Sequence, residues 1–230
     1  MHTPSTKAGA EAVLFDVDGT LIDSVDLHAK AWQETLAHFG KRVAFEEVRS
    51  QIGKGGDQLL PVFFSREELS LRGKAVEEYR GDLYKSSYMK RIRAFPETRE
   101  LFQEILRRGI RIALASSAKG DELEIYKQVA RVDDLIEAES TKDDASRSKP
   151  HPDIFQAAMA RLGKPLDLSR VFVVGDTPWD VIAAHRCGVK TIGMLCGGFA
   201  EQDLRGAGAI EIYRDPSDLL RRIDSSALVR

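Results

Sequence analysis

The 230-residue chain predicts an α/β fold, a doubly wound parallel sheet interrupted by an all-helical insert. Three observations predict it. Short apolar runs recur, among them Ala12-Val13-Leu14-Phe15, Ile112-Ala113-Leu114-Ala115 and Val171-Phe172-Val173-Val174. Their continuous apolar character suits strands buried on both faces. From residue 97 onward, helix-period segments alternate with such runs, which is the spacing of βαβ units. Residues 23–92 break that rhythm, because helical patterns there follow one another without convincing strands. The chain thus divides into a Rossmann-like core, residues 1–22 and 93–230, and a helical insert, residues 23–92.

Taken in order, residues 1–10 read as a loose polar tail. Residues 11–17 read as a buried strand ended by Gly19. In the insert, Leu27, Ala31, Leu36 and Phe39 recur near helical spacing and Gly40 stops them, which predicts a helix over 25–39. Helices are also predicted over 45–52, 57–64 and 66–89, with the loop Gly53-Lys54-Gly55-Gly56 between the first two. In the core the pattern predicts helices at 97–108, 120–130, 152–162, 178–187 and 217–223. Strands are predicted at 110–115, 135–138, 171–174, 189–194 and 209–213. Proline near the start and glycine after the end mark the helix over 152–162.

The bulk numbers exclude several classes. Hydrophobic residues make up 43% and charged residues 30%, ordinary values for a globular protein able to bury a core without staples. A net charge of −2 offers no footprint for nucleic acid or an anionic membrane. The two cysteines, Cys187 and Cys196, show no secreted-scaffold pattern. No apolar run approaches the ~18 residues of a membrane span, and the polar start lacks a signal core. A cytoplasmic protein, monomer or homodimer, is the expectation.

The chemistry concentrates at strand ends, where open α/β sheets place their sites. Asp16-Val17-Asp18-Gly19-Thr20 follows the first strand. Residues i and i+2 of a strand share a face, so Asp16 and Asp18 can aim at one site, although the turn at Gly19 can redirect Asp18. Two crowded carboxylates call for a cation or a shared proton, and a hard, oxygen-loving ion such as Mg2+ answers that need. Ser116-Ser117 ends a second strand. Asp176 follows a third, with Asp180 one helical turn later. Lys149, in Ser148-Lys149-Pro150-His151-Pro152, precedes a helix. Thr177 with Pro178 reads as a helix cap.

These four motifs, D-x-D-G-T, an apolar strand ending in Ser, K-P and G-D-T-x-x-D, resemble those of the haloacid dehalogenase-like hydrolase superfamily in its helical-cap subgroup. The resemblance runs from about residue 11 to 213. It implies that Asp16 is a nucleophile forming an aspartyl-phosphate and that Asp18 is the general acid/base. It implies that Asp16, Asp176 and the Asp18 backbone carbonyl hold Mg2+, with Asp180 supporting the metal through its water shell or Lys149. Ser116, with backbone N–H groups near Asp18 and Ser117, would bind phosphoryl oxygens, and Gly19 and Ser117 belong to that substrate-binding set. Charge considerations agree: a carboxylate attacking a phosphate dianion needs a cation and a Lys nearby. Like-charge crowding is expected to raise the Asp18 pKa toward that of an acid.

The insert carries further candidates. Lys54 either touches substrate from a loop that closes over the site or belongs to a flexible interhelix turn. The loop lacks the P-loop pattern. His28 and Trp32 share a helix face and either pack in the insert or face substrate. His151 and His185 read as structural. The activity implied is Mg2+-dependent hydrolysis of a small phosphate monoester, such as a sugar phosphate or phosphoglycolate. A β-phosphoglucomutase-like transfer is the alternative, favoured by His28 and Trp32. It is weakened because Gly56 stands where that pattern has an Arg, leaving Lys54 or Lys74 to replace it. A non-catalytic phosphate-binding protein would tolerate a gap among the acids, Ser and Lys, and none is missing. A dinucleotide enzyme would need G-x-G-x-x-G after the first strand, which is absent.

Overall fold

A computed structural model describes residues 9–163 and 165–230, so residues 1–8 of the expected tail lie outside the described residues. The elements run β1 (Ala12–Phe15), β2 (Ile22–Asp23), α1 (Val25–His38), α2 (Phe45–Arg49), α3 (Gly56–Phe63), α4 (Arg66–Leu83), β3 (Arg93–Ala94), α5 (Thr98–Arg107), β4 (Arg111–Ala115) and α6 (Gly120–Ala130). Then follow β5 (Ala138–Ser140), α7 (Asp153–Arg161), β6 (Val171–Gly175), α8 (Pro178–Arg186), β7 (Lys190–Met194), α9 (Glu201–Ala207), β8 (Glu211–Tyr213) and α10 (Pro216–Arg221).

The main sheet has the order β5-β4-β1-β6-β7-β8 and every pairing is parallel. β1 lies at its centre, pairing Ala12 with Arg111 on one side and with Val171 on the other. The two-residue period of the strands sorts their side chains into two cores. Val13, Phe15, Ile112, Leu114, Phe172 and Val174 pack with Leu101, Phe102, Ile105 and Leu123 on one face. Ala12, Leu14, Ala113, Ala115, Val171 and Val173 pack with Ile154, Phe155, Ala158 and Ala183 on the other. A third apolar cluster, including Val25, Trp32, Leu36, Val48, Leu59 and Val76, holds the helices of the insert together.

Four features depart from the sequence reading. β2 and β3 form a small antiparallel ladder, Ile22 opposite Ala94 and Asp23 opposite Arg93, at the base of the helical segment. Two-residue strands carry too little pattern to be read. The helix expected over 66–89 ends at Leu83 and continues as a π turn, Tyr84–Tyr88, and a 3-10 turn, Met89–Arg91. The wider turn brings the Tyr84 hydroxyl within 3.0 Å of Tyr126 and stacks its ring on His28 at 4.1 Å. α9 was not foreseen, because its seven residues bury only Leu204. The short strand expected at 135–138 shifts to β5, since Asp133–Leu135 closes a 3-10 turn. No described helix is long and apolar enough to cross a membrane.

Candidate active site

The carboxyl ends of β1, β4 and β6 meet at the point where connections leave the sheet in both directions. Asp16 extends the ladder by donating its N–H to the Val174 carbonyl at 2.9 Å, which fixes its backbone at the floor of the site. Its carboxylate forms an ion pair with Lys149, a side chain only 1% exposed. The same ammonium lies 2.7 Å from Asp180 Oδ1. Asp180 Oδ2 accepts from the Thr177 N–H at 3.0 Å and the Thr177 hydroxyl at 2.6 Å, closing a capping box at the start of α8. Asp180 therefore serves the helix cap and Lys149 together.

Thr20, fully buried, donates to Asp176 Oδ1 at 2.9 Å and lies 3.3 Å from Asp16 Oδ2. Among the described residues, no hydrogen-bond partner reaches the buried Asp176 Oδ2. Glycine is needed on both sides of it, because a side chain at Gly19, where φ is +85°, or at Gly197 would strike that oxygen. One oxygen from each of Asp16, Asp176 and Asp180 lies within 4.8 Å of the others. Three acids against one ammonium leave the cluster negative. Burial, and then Asp180 and Asp18, outweigh the Lys149 ammonium and push Asp16 up to about 7. Burial, Asp16 and Asp180 raise Asp176 well above the carboxylate range. Burial opposes the charge on Lys149, but Asp16 and Asp180 hold its pKa above the ordinary value. An all-oxygen donor set with an orphaned carboxylate oxygen and surplus negative charge fits a hard divalent cation.

Asp18 turns away from this cluster. Its Oδ1 accepts from the Ser24 hydroxyl at 2.6 Å and meets His28 Nε2 at 2.8 Å. The expectation of a raised Asp18 pKa is corrected here. Burial does push it up, but His28, Ser24 and Arg80 outweigh that and hold the carboxyl below its usual range. His28 Nδ1 contacts the Arg80 guanidinium, which can only donate, so Nδ1 accepts and Nε2–H points to Asp18. Arg80 also lies 5.2 Å from the Trp32 ring and 4.9 Å from the Tyr84 ring.

A cleft of about 100 Å³, room for fewer than ~10 waters, separates these acids from the helical segment. Asp16 and Asp18 face it from the core side, with Ser117, Ala118 and Lys119 from the β4–α6 loop. His28, Trp32, Lys54, Glu77 and Arg80 face it from the helical side. Ser116 does not line the cleft; its buried Oγ accepts the Ala118 N–H at 3.1 Å and shapes the loop that does. Helical-side contacts land beside the core motifs. Asp57 accepts from the Ser148 N–H at 3.1 Å, Arg49 donates to the Gly197 carbonyl at 2.9 Å, and Glu77 pairs with Lys142 at 2.6 Å. A side chain at Gly53 or Gly55 would collide with Thr177 or Ser148, so the glycine-rich loop is a close-packed contact with the core. Lys54 donates to Gln51 at 2.6 Å and sits 4.1 Å from the Trp179 ring centroid.

The model of the family described as haloacid dehalogenase-like hydrolase matches residues 13–194, most of the chain and every motif loop of the site. The chain belongs to that family. It is a hydrolase of the phosphatase type. A protein of Caldanaerobacter subterraneus subsp. tengcongensis described as putative pyrophosphatase PpaX is 28% identical over 185 residues, 79% of this chain and 80% of that protein. The crystal structure of a hydrolase from Pseudomonas syringae superposes with a TM-score of 0.84 and 33% identity over 93% of this chain and 98% of that one. A putative β-phosphoglucomutase from Bacteroides vulgatus superposes with a TM-score of 0.82 over 98% and 93% at 22% identity, a likeness of fold alone.

The fold brings Asp16, Asp176, Asp180 and Lys149 together and places Gly19 against Asp176. It sets Asp18 and His28 as a pair beside them and puts Ser117 and Lys54 on the cleft wall. His28 and Trp32, each 6% exposed, both pack and face the cleft, so the two readings of that pair describe one arrangement. Lys74 lies outside, exposed and 3.6 Å from Glu78. Sequence reasoning missed Thr20, whose signal was its place in D-x-D-G-T, and Arg80, which had no signal in an otherwise polar helix.

Proposed function

We propose that this chain is a Mg2+-dependent phosphatase that hydrolyses a small phosphate monoester through an aspartyl-phosphate at Asp16, with residues 23–92 acting as a cap over the site. The observation that carries the reading is the Asp16 carboxylate held by Lys149 next to an Asp176 oxygen that has no partner among the described residues. Asp16, Asp176 and the Asp18 carbonyl would hold Mg2+, which when bound neutralises phosphoryl charge. An Asp16 oxygen attacks phosphorus and the bond to the leaving oxygen breaks. Lys149 offsets charge on the transferring group, and Asp180 keeps that ammonium in place. Asp18 supplies the proton to the leaving oxygen, because the approaching dianion raises its proton affinity. It then takes a proton from the water that hydrolyses phospho-Asp16. Its bonds to Ser24 and His28 suit it to that base role. Ser117 and the loop shaped by Ser116, together with Gly19, bind phosphoryl oxygens, and Lys54 meets substrate from the cap.

The size of the cleft supports a small substrate. The mutase reading has less support. Gly56 replaces the Arg of that pattern, Lys74 points elsewhere, and Arg80 is engaged by His28. The test is phosphate release from sugar phosphates, glycerol phosphate, phosphoglycolate, nucleotides and pyrophosphate, with and without Mg2+. Metal-dependent release from a small ester is expected. Conversion of β-glucose 1-phosphate to glucose 6-phosphate without net release would replace this reading with the mutase.

A further inference from the structure

Glu122 is a carboxylate that the proposed chemistry does not use. It is only 4% exposed, yet it lines the cleft. It stands at the third position of α6, where a Glu often reaches back to the N-cap N–H. No such bond forms here: the cap residue Lys119 has no side-chain capping partner. Among the described residues the Glu122 carboxylate makes no hydrogen bond or ion pair. A carboxylate can only accept, so its oxygens are open to a donor that enters the cleft.

Three of the four cations that line the cleft are already occupied, and the fourth, Lys119, is exposed to solvent. Lys142 is paired with Glu77, Arg80 is drawn to His28, Trp32 and Tyr84, and Lys54 is held by Gln51 and Trp179. Beyond the phosphoryl end, the cleft lining includes Glu122, the Glu77 that Lys142 neutralises, and Trp32. The Glu122 carboxylate repels a second anion placed against it and welcomes a group that donates hydrogen bonds.

We propose that Glu122 is a specificity-determining residue: it accepts a hydrogen bond from a hydroxyl of the leaving group, so the enzyme selects polyol or sugar phosphates over esters and anhydrides that carry a second anion. This assignment rests on the phosphatase reading and deepens it. Hydroxyl and ammonium donors share the required chemistry, so an aminoalkyl phosphate forms a separate arm of the test.

The experiment is steady-state hydrolysis by the wild type, Glu122→Gln and Glu122→Asp with Mg2+. The substrates are glycerol phosphate, a hexose 6-phosphate, phosphoethanolamine, phosphoglycolate and pyrophosphate. In the wild type, kcat/KM on the best hydroxylated ester should exceed that on phosphoglycolate and pyrophosphate by about tenfold or more. Glu122→Gln should lower that ratio by about tenfold, through a higher KM for the hydroxylated ester and a lower one for phosphoglycolate. Glu122→Asp keeps the charge but withdraws the oxygen, so it should raise the KM for the hydroxylated ester while still rejecting phosphoglycolate. Phosphoethanolamine as the preferred substrate, and the one most impaired in Glu122→Gln, would replace the hydroxyl with an ammonium and overturn the polyol assignment. A wild-type preference for phosphoglycolate or pyrophosphate, or an unchanged ratio in variants that melt like the wild type, would overturn it while leaving the phosphatase intact. Silence of the wild type on every compound would overturn both readings.

Discussion

The two walls of the cleft are built differently. The core wall is backed by Asp16 and Asp176 at strand ends, Asp180 in the first turn of α8 and Lys149 ahead of α7, all nearly inaccessible and bonded chiefly to one another. The helical wall is held to the core by separate polar contacts at its rim, Asp57 to Ser148, Arg49 to Gly197 and Glu77 to Lys142. The first arrangement fixes atoms, because buried charges have one satisfactory geometry and strand ends cannot slide. The second can part and re-form, because each rim contact is individually weak. In the reading proposed above, the chemistry sits on the first wall, and closure over substrate falls to the second.

The largest effect that sharpens this contrast is loss of the proposed nucleophile. Asp16→Asn should lower kcat on every substrate by on the order of 10³-fold or more while the protein still folds, as circular dichroism would show. Substantial turnover in that variant would remove the covalent step. Metal withdrawal comes next: EDTA should silence the enzyme and added Mg2+ should restore it. Mg2+ at about 100 times its Kd should also stabilise the fold by about 2.7 kcal/mol, visible as a rise in Tm that Asp176→Ala abolishes.

Stability probes the walls as well. Phe15, fully buried and 4.7 Å from the Phe102 ring, anchors the strand that carries Asp16. Phe15→Ala should lower unfolding free energy by about 3–5 kcal/mol in urea titrations. On the helical wall, Asp57→Ala removes the acceptor of the Ser148 N–H. A net contribution of about 0.5–1.5 kcal/mol predicts a KM up to roughly tenfold higher with kcat little changed. A fall in kcat at constant KM would instead mean that this contact sets the neighbouring Lys149, and the division between the walls would not hold.

The remaining effect concerns pH. Asp16 titrates near 3.8 in an unfolded chain and is pushed up to about 7 in the metal-free fold. Below about pH 4 both states hold the proton. Between about 4 and 7 only the folded state does. The metal-free protein should therefore lose stability as pH rises through that window and level off above it. Tm measured against pH in EDTA should show the slope, and Asp16→Asn should flatten it. An equal slope in the variant would place the titration elsewhere in the cluster.

Much of the core wall was legible in the sequence. The continuous apolar strands, the acids directly after them, and Thr177-Pro178 ahead of Asp180 are local patterns with local causes. β1 needs four buried residues, and α8 needs a cap. Lys149 was marked by its motif, although only folding sets it between Asp16 and Asp180. The sequence by itself therefore determined the α/β class, the helical insert and the identity of the acids and Lys149. Tertiary structure alone decided which way those side chains and their neighbours face. It turned Asp18 toward His28 and Ser24, so its neighbours are donors and not a crowding acid. It ended α4 in a π turn that brings Tyr84 onto His28, and it drew Arg80 and Glu122 to one cleft from helices about 40 residues apart in sequence. The physical reason is range: burial patterns and caps act over a few residues, whereas a charge environment is the sum of groups that only the packed chain brings together.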